Sequence, residues 1–286
     1  MIGDDPIKAK NMLKLSSTSA LVLLWAKQGW YQSKQTMGYL NQLDLEEGKT
    51  LYEQARDICP YYDEVIKNRK FGVFTLIGKC CTGKINCQQL VIAGAGLDAL
   101  SIEATMHYPH LNVFELDKEN MDIKSHLVAK SGNNSKGNIT FIEANLLDAS
   151  EVYKSLCAHG WDPVRPTLFI FEGISYYLPT DSIKNLVQVI NPGWTIFEFL
   201  KKDEEVASDR VDIPRKVFGL ISDLCELSNI CQYNCSQLET LFSNTSIVTK
   251  YSMKQLEEMR TGSNRYFPTE DSGWIEVCLL VNRQNS

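Results

Sequence analysis

The stretch QQLVIAGAGLDALSIEA, from Gln88 to Ala104, constrains what this chain can fold into more than any other. Leu90 to Ala93 is an apolar run without a polar break, the pattern of a strand buried on both faces of a parallel sheet. Gly94-Ala95-Gly96 ends the run. Two glycines so close permit positive φ and let a ligand lie against bare main chain, and Asp98 to Met106 reads as a helix whose positive N-terminus faces the same spot. A lone GxG is also an ordinary strand-to-helix turn, so a cofactor site needs support from the next strand. Asn112 to Leu116 reads as that second buried strand. Glu115 and Asp117 stand at its C-terminal end, about twenty residues after the glycines, where an acidic side chain can accept hydrogen bonds from ribose hydroxyls.

A chain of 286 residues can bury one large core. The expectation is a single domain over 1–286, with an N-terminal helical cap (1–85) and an α/β core (86–286) carrying a helical insertion near 201–230. The net charge of −6 and the absence of a concentrated Lys/Arg face argue against nucleic acid and favour a small-molecule or protein substrate. Nine cysteines, an odd and scattered set, read as reduced thiols of a cytoplasmic protein. Cys80-Cys81 and Cys231/Cys235 lack a second pair at zinc-site spacing, and His107 and His110 flank a helix-breaking Tyr108-Pro109, so no metal is expected. Lys8, Lys10 and Lys14 before the apolar run Ala20 to Ala26 imitate a signal peptide. That run is too short to span a bilayer and lacks a small-residue cleavage site after it, so a helix capping a cleft is expected, with no membrane partner. A monomer or homodimer is expected.

In chain order, Ser17 to Gln32, Leu45 to Ile58 and Asp63 to Cys80 carry apolar residues at helical spacing. Arg69 lies in the third of these, where a solvated surface position is the usual fate of an arginine. After the second strand, Glu119 to Lys130 reads as a helix, Ser131 to Gly137 as a loop and Ile139 to Glu143 as a third strand. ANLLD comes next, placing Asn145 and Asp148 at its carboxyl end, with Asp148 suited to cap a helix from Ala149 to Ala158. The fourth strand, Thr167 to Glu172, ends in a carboxylate that is costly to bury alone, so Glu172 should meet a cation or several donors. Thr180 to about Ile190 reads as a helix and Thr195 to Leu200 as a fifth strand carrying Glu198. Val206 to Leu227 is mostly helical with a break at Pro214. Ser246 to Tyr251 and Trp274 to Val281 read as an antiparallel pair joined by a loop, without a full crossover helix.

These units together resemble a class I S-adenosylmethionine-dependent methyltransferase, a Rossmann-like α/β fold with a seven-stranded, mostly parallel sheet and a terminal antiparallel hairpin. GAGLD, FELD, ANLLD, DPVRPTLFIFEGISYYLP and the preceding Arg69 resemble, more closely, the leucine carboxyl methyltransferase family, which also holds bacterial small-molecule O-methyltransferases. The likeness covers roughly Asp63 to Leu186 and reaches weakly to Lys10. It implies that Arg69, helped by Lys10, binds the cofactor's methionine carboxylate, and that Gly94, in the Gly94-Ala95-Gly96 turn, meets the methionine end. Asp117, beside Glu115, would take the ribose, Asn145 and Leu146 would flank the adenine, and Glu172 would receive the α-ammonium group. Asn145 stands where the family usually has Asp, and Ala99 where Thr is common. The implied activity is methyl transfer from S-adenosylmethionine to an oxygen of a small molecule, with Tyr176 or Tyr177 assisting if the acceptor is a hydroxyl. A protein C-terminal carboxylate is the alternative acceptor. Outside the family stand a nicotinamide-dependent oxidoreductase, since GAGLDA fits G-x-G-x-x-G/A, and a non-catalytic cofactor-binding subunit.

Overall fold

A helical layer precedes the sheet and ends up lying across it. The computed structural model describes residues 13–14, 17–27, 29–83, 85–131, 138–225, 230–242 and 245–282. Lys8, Lys10, the loop over 132–137 and the end of the insertion at Leu227 therefore lie outside the described residues. The N-terminal layer is β1 (Leu13–Lys14), α1 (Ser17–Lys27), α2 (Lys34–Leu40), β2 (Leu43–Asp44), α3 (Lys49–Ile58) and α4 (Tyr62–Thr82). The single helix expected over Ser17 to Gln32 is shorter: α1 stops at Lys27, and Ser33 caps α2 by accepting a hydrogen bond from the Thr36 amide. The two-residue strands β1 and β2, which pair in parallel, carry too short a pattern to be read from sequence.

The core then alternates: β3 (Gln89–Ala93), α5 (Leu100–His107), β4 (Asn112–Asp117), α6 (Met121–Lys130), β5 (Asn138–Glu143), α7 (Ala149–Ala158), β6 (Thr167–Phe171), α8 (Thr180–Ile190) and β7 (Trp194–Leu200). It ends with α9 (Asp212–Cys225), α10 (Cys235–Leu241), β8 (Thr245–Ser252), α11 (Met253–Thr261) and β9 (Ile275–Asn282). Strand order is β5-β4-β3-β6-β7-β9-β8; β9 runs antiparallel to both β7 and β8, and the remaining pairs are parallel. The order reverses at β3, so β4 and β6 leave it on opposite sides and open a crevice at the carboxyl ends of the strands. Every residue of β3 is buried, alternately to each face: Leu90 and Ile92 join one core cluster, Val91 and Ala93 the other. Asp148 caps α7 by accepting from the Glu151 amide, as its position before that helix predicts.

The structure corrects two further expectations. Pro214 does not break a helix but occupies the third position of α9, where backbone amides have no intrahelical partner to lose. The connection between the last two strands is not a loop alone: it contains α11, nine residues long, opened by a capping box in which Ser252 and Gln255 satisfy each other's backbone amides. Among the described residues no helix is long and apolar enough to cross a membrane, and no cluster of His, Cys, Asp or Glu is arranged to hold a metal ion.

Candidate active site

The crevice at the end of β3 is a cavity of ≈ 600 Å³. Its floor is the glycine turn, with Gly94 at φ +63° and Gly96 at φ +49°. A Cβ on Gly94 would lie 2.6 Å from the Ile174 side chain, so both conformation and space demand glycine there. The Gly96 amide donates to Asp117 Oδ2 at 2.7 Å, and the Lys118 amide donates to Asp117 Oδ1 at 2.7 Å. The carboxylate at the end of β4 is thereby oriented, and with two oxygens it keeps acceptor capacity for a diol.

Opposite the glycines, α4 drives two cations into the cleft. Arg69 is 4 % exposed; its Nε lies 3.3 Å from Glu172 Oε1 as an ion pair, and Nη1 donates to the Tyr176 hydroxyl at 3.2 Å. Lys70 Nζ donates to Glu172 Oε1 at 3.0 Å and to Asp98 Oδ2 at 2.8 Å. Asp98 Oδ1 in turn accepts from the Tyr31 hydroxyl at 2.8 Å. Burial works against the charge on Asp98, yet Lys70 and Tyr31 hold its carboxyl below the usual carboxylate range. Glu172 does meet cations, as its place at the end of β6 predicts, and its Oε2 is buried without a hydrogen-bond partner among the described residues. Behind it, fully buried Glu198 accepts from the Gly173 amide; burial pushes its carboxyl up to about 6, against the opposing pull of Arg69.

Beside Arg69 the cavity lining turns aromatic. Trp25 stacks on Tyr62 with ring centroids 4.7 Å apart, and Tyr176 meets Tyr177 and Phe218 edge-on at 4.7 Å and 4.9 Å. Trp25 comes from α1 and Phe218 from α9, so the N-terminal cap and the insertion both close over the site. Trp30 does not join them; it packs on Phe74.

Of the residues singled out in the sequence, Arg69, Gly94, Ala95, Gly96, Glu115, Asp117, Glu172, Tyr176 and Tyr177 line this one cavity. Glu115 does so from behind: it is 1 % exposed, and Lys124 Nζ sits 2.5 Å from its carboxylate while donating to the Gly96 carbonyl at 2.9 Å. The pair braces the turn and leaves the exposed acceptor role to Asp117. Asn145 and Leu146 do not line the cavity. Asn145 is exposed, its Oδ1 accepting from the Leu147 amide at 3.1 Å, and Leu146 is buried in the core cluster shared with β6 and α8. The short side chain closes its own turn instead of reaching inward. Lys10 lies outside the described residues. Lys70, Asp98, Tyr62 and Phe218 join the site without having been singled out in the sequence, although a lysine in a helix this apolar and the aspartate of GAGLD are both visible there.

Comparison with known proteins agrees with this architecture. No curated protein matches the sequence. Among solved structures, a DUF574 family protein from Streptomyces avermitilis superimposes with a TM-score of 0.68 at 11% identity, over 93% of this chain and 97% of its own. A candidate methyltransferase from Thermobifida fusca gives 0.63 at 14%, over 99% and 100%. Magnesium protoporphyrin IX methyltransferase from Synechocystis, with bound SAH, gives 0.50 at 12%, over 83% and 95%. At such identities the likeness shows the shared α/β fold, a mostly parallel seven-stranded sheet with an antiparallel end. The sequence evidence is of another kind, because the family model for leucine carboxyl methyltransferase matches residues 17–191, which run from the first cap helix through every charged residue of the cleft except Glu198. The chain therefore belongs to the leucine carboxyl methyltransferase family of S-adenosylmethionine-dependent methyltransferases.

Proposed function

We propose that this protein transfers a methyl group to a carboxylate or hydroxyl oxygen of a small, largely apolar metabolite enclosed by Trp25, Tyr62, Tyr177 and Phe218. The observation that carries the reading is the division of one cavity into a charged end and an aromatic end. The charged end fits the amino-acid part of S-adenosylmethionine. Arg69 suits a carboxylate, the unpartnered Oε2 of Glu172 suits an ammonium, and the bare backbone at Gly94 admits close approach. Asp117, held by two amides, suits the ribose hydroxyls. When bound, the cofactor supplies an electrophilic methyl carbon on a sulfonium.

The protein's own work is alignment: the aromatic walls hold the acceptor in line and exclude water, and positioning of this kind can account for much of a displacement rate. Tyr176 serves positioning rather than proton transfer in this reading. Burial pushes its phenol well above the ordinary range, and its oxygen accepts from Arg69, so it is a poor base. A carboxylate acceptor needs no base and fits such a wall best. A protein C-terminus would need an open docking surface, whereas Trp25 and Phe218 narrow the aromatic end from two sides.

The test is methyl transfer from labelled S-adenosylmethionine to panels of small carboxylic acids, small phenols and alcohols, and peptides. The expected product is a base-labile methyl ester of a small acid. A base-stable ether would move the acceptor to a hydroxyl, labelling confined to peptides would overturn the small-molecule reading, and binding of NADH in place of the cofactor would overturn the cofactor placement.

A further inference from the structure

Arg69 and Lys70 are consecutive on α4, and both reach the same oxygen, Glu172 Oε1. Lys70 is the more deeply buried, at 1 % exposure. A buried ammonium is costly unless every proton is matched, and here each one is. One goes to Glu172 and one to Asp98, and the third side faces the Tyr31 ring with Nζ 5.3 Å from its centroid. Lys70 has no donor left for a ligand. What it does instead is hold two carboxylates apart. By occupying Glu172 Oε1 it leaves Oε2 as the single open acceptor of that group. By holding Asp98 it joins the site to Tyr31, in the segment between α1 and α2. These four charges cancel among themselves, Arg69 and Lys70 against Glu172 and Asp98, and Glu198 adds a further carboxylate behind them.

We propose that Lys70 is a positioning residue that presents Glu172 to the cofactor's ammonium group, and that its positive charge sets how the cleft discriminates between the cationic methyl donor and its neutral product. This rests on the cofactor placement proposed above. Methyl transfer turns a sulfonium into an uncharged thioether, so donor and product differ by one unit of charge in a cleft shielded from water. Electrostatics there is weakly screened. Removing Lys70 leaves the cluster with an excess negative charge, which disfavours both ligands by loosening Glu172 but favours the sulfonium over the thioether. Removing the charge of Asp98 leaves an excess positive charge and acts in the opposite sense.

The experiment is calorimetric titration of the full chain, as wild type, Lys70→Met and Asp98→Asn, with S-adenosylmethionine and S-adenosylhomocysteine, folding being verified by circular dichroism. For Lys70→Met the expected result is roughly tenfold weaker product binding and a ratio Kd(product)/Kd(donor) that rises about fivefold over wild type. For Asp98→Asn the ratio falls below wild type. A purely structural role would weaken both ligands alike and leave the ratio unmoved; a folded variant with the wild-type ratio overturns the proposal. If Lys70→Met fails to fold, Asp98→Asn alone decides by the sign of its shift. Wild-type protein that binds neither ligand would overturn the cofactor placement instead, an outcome distinct from an unmoved ratio in a wild type that binds both.

Discussion

The charged end of the cavity and its aromatic end are built by different rules. At the charged end the contacts are hydrogen bonds and ion pairs between partners that can be named: Arg69 with Tyr176 and Glu172, Lys70 with Glu172 and Asp98, Gly96 with Asp117. At the aromatic end Trp25 packs on Tyr62 and Phe218 on Tyr176, and apart from the Arg69 bond to the Tyr176 hydroxyl their contact is spread over area. In the proposed function the first kind of site holds the cofactor, the part of the reaction that members of a methyltransferase family share. In the same proposal the second kind holds the acceptor, whose shape it can match one ring at a time.

The contrast can be broken most forcefully at Glu172. Glu172→Ala leaves Arg69 and Lys70 with too little counter-charge in a buried cluster, and cofactor binding should weaken by about 3–5 kcal/mol, as removal of one partner of a buried ion pair does. Isothermal titration checks it; affinity within threefold of wild type would show that the charged end does not hold the cofactor. Trp25→Ala should do the reverse. Loss of a buried ring costs about 3 kcal/mol of stability in urea unfolding, and the acceptor's KM should rise while the cofactor's Kd stays within threefold. Equal changes in both would mean that the two ends are not separable.

A smaller effect comes from Glu198, which sits behind the charged end. Burial raises its carboxyl to about 6 from an ordinary value of 4.5, so the folded chain binds this proton more tightly than the unfolded chain. Its contribution to stability is complete below pH ~4.5 and is lost as pH rises through about 6. Between pH 4.5 and 7 wild type should lose about 1.5 kcal/mol more than Glu198→Gln does. Denaturant midpoints at pH 4.5 and 7 give the comparison, and parallel curves would refute it. The smallest effect is expected at Asn145, exposed and turned onto its own loop: Asn145→Ala should change cofactor affinity by less than about 0.5 kcal/mol. A tenfold loss would put Asn145 back among the cofactor contacts.

Legibility in the sequence divides along the same line. The spans of α7 and α8 match expectation to the residue, and β3 and β4 to within one, because buried parallel strands and capped helices write their pattern locally. Glu172 can be singled out because a carboxylate at the end of TLFIF needs a partner wherever that partner comes from. Lys70 cannot, because what buries it is Asp98 and Glu172, 28 and 102 positions away. Phe218 and Tyr62 stay hidden for the same reason, since an aromatic on a helix gives no sign of which cavity it faces. The start of α11 does carry a local sign, Ser252 three residues before Gln255, but the helix it opens is short and its sequence between two strands reads as loop. Asn145 shows the limit from the other side: its place in ANLLD is legible, but not that its side chain turns onto the Leu147 amide.

The order of the strands also carries a schedule. β7, with the buried run Thr195 to Leu200, takes β9 as its outer neighbour, and Ile275 comes 75 residues after Leu200. At 5–20 residues per second on the ribosome, β7 therefore waits on the order of 4–15 s with one edge unpaired. During that interval TIFEFL offers open amides and carbonyls beside apolar side chains, the combination that recruits a foreign strand. Glu198, in the middle of this segment, places a charge in what would otherwise be an unbroken sticky edge. At near-neutral pH, before burial raises its pKa, it is ionised and can act as a gatekeeper against aggregation while the nascent chain still lacks β9.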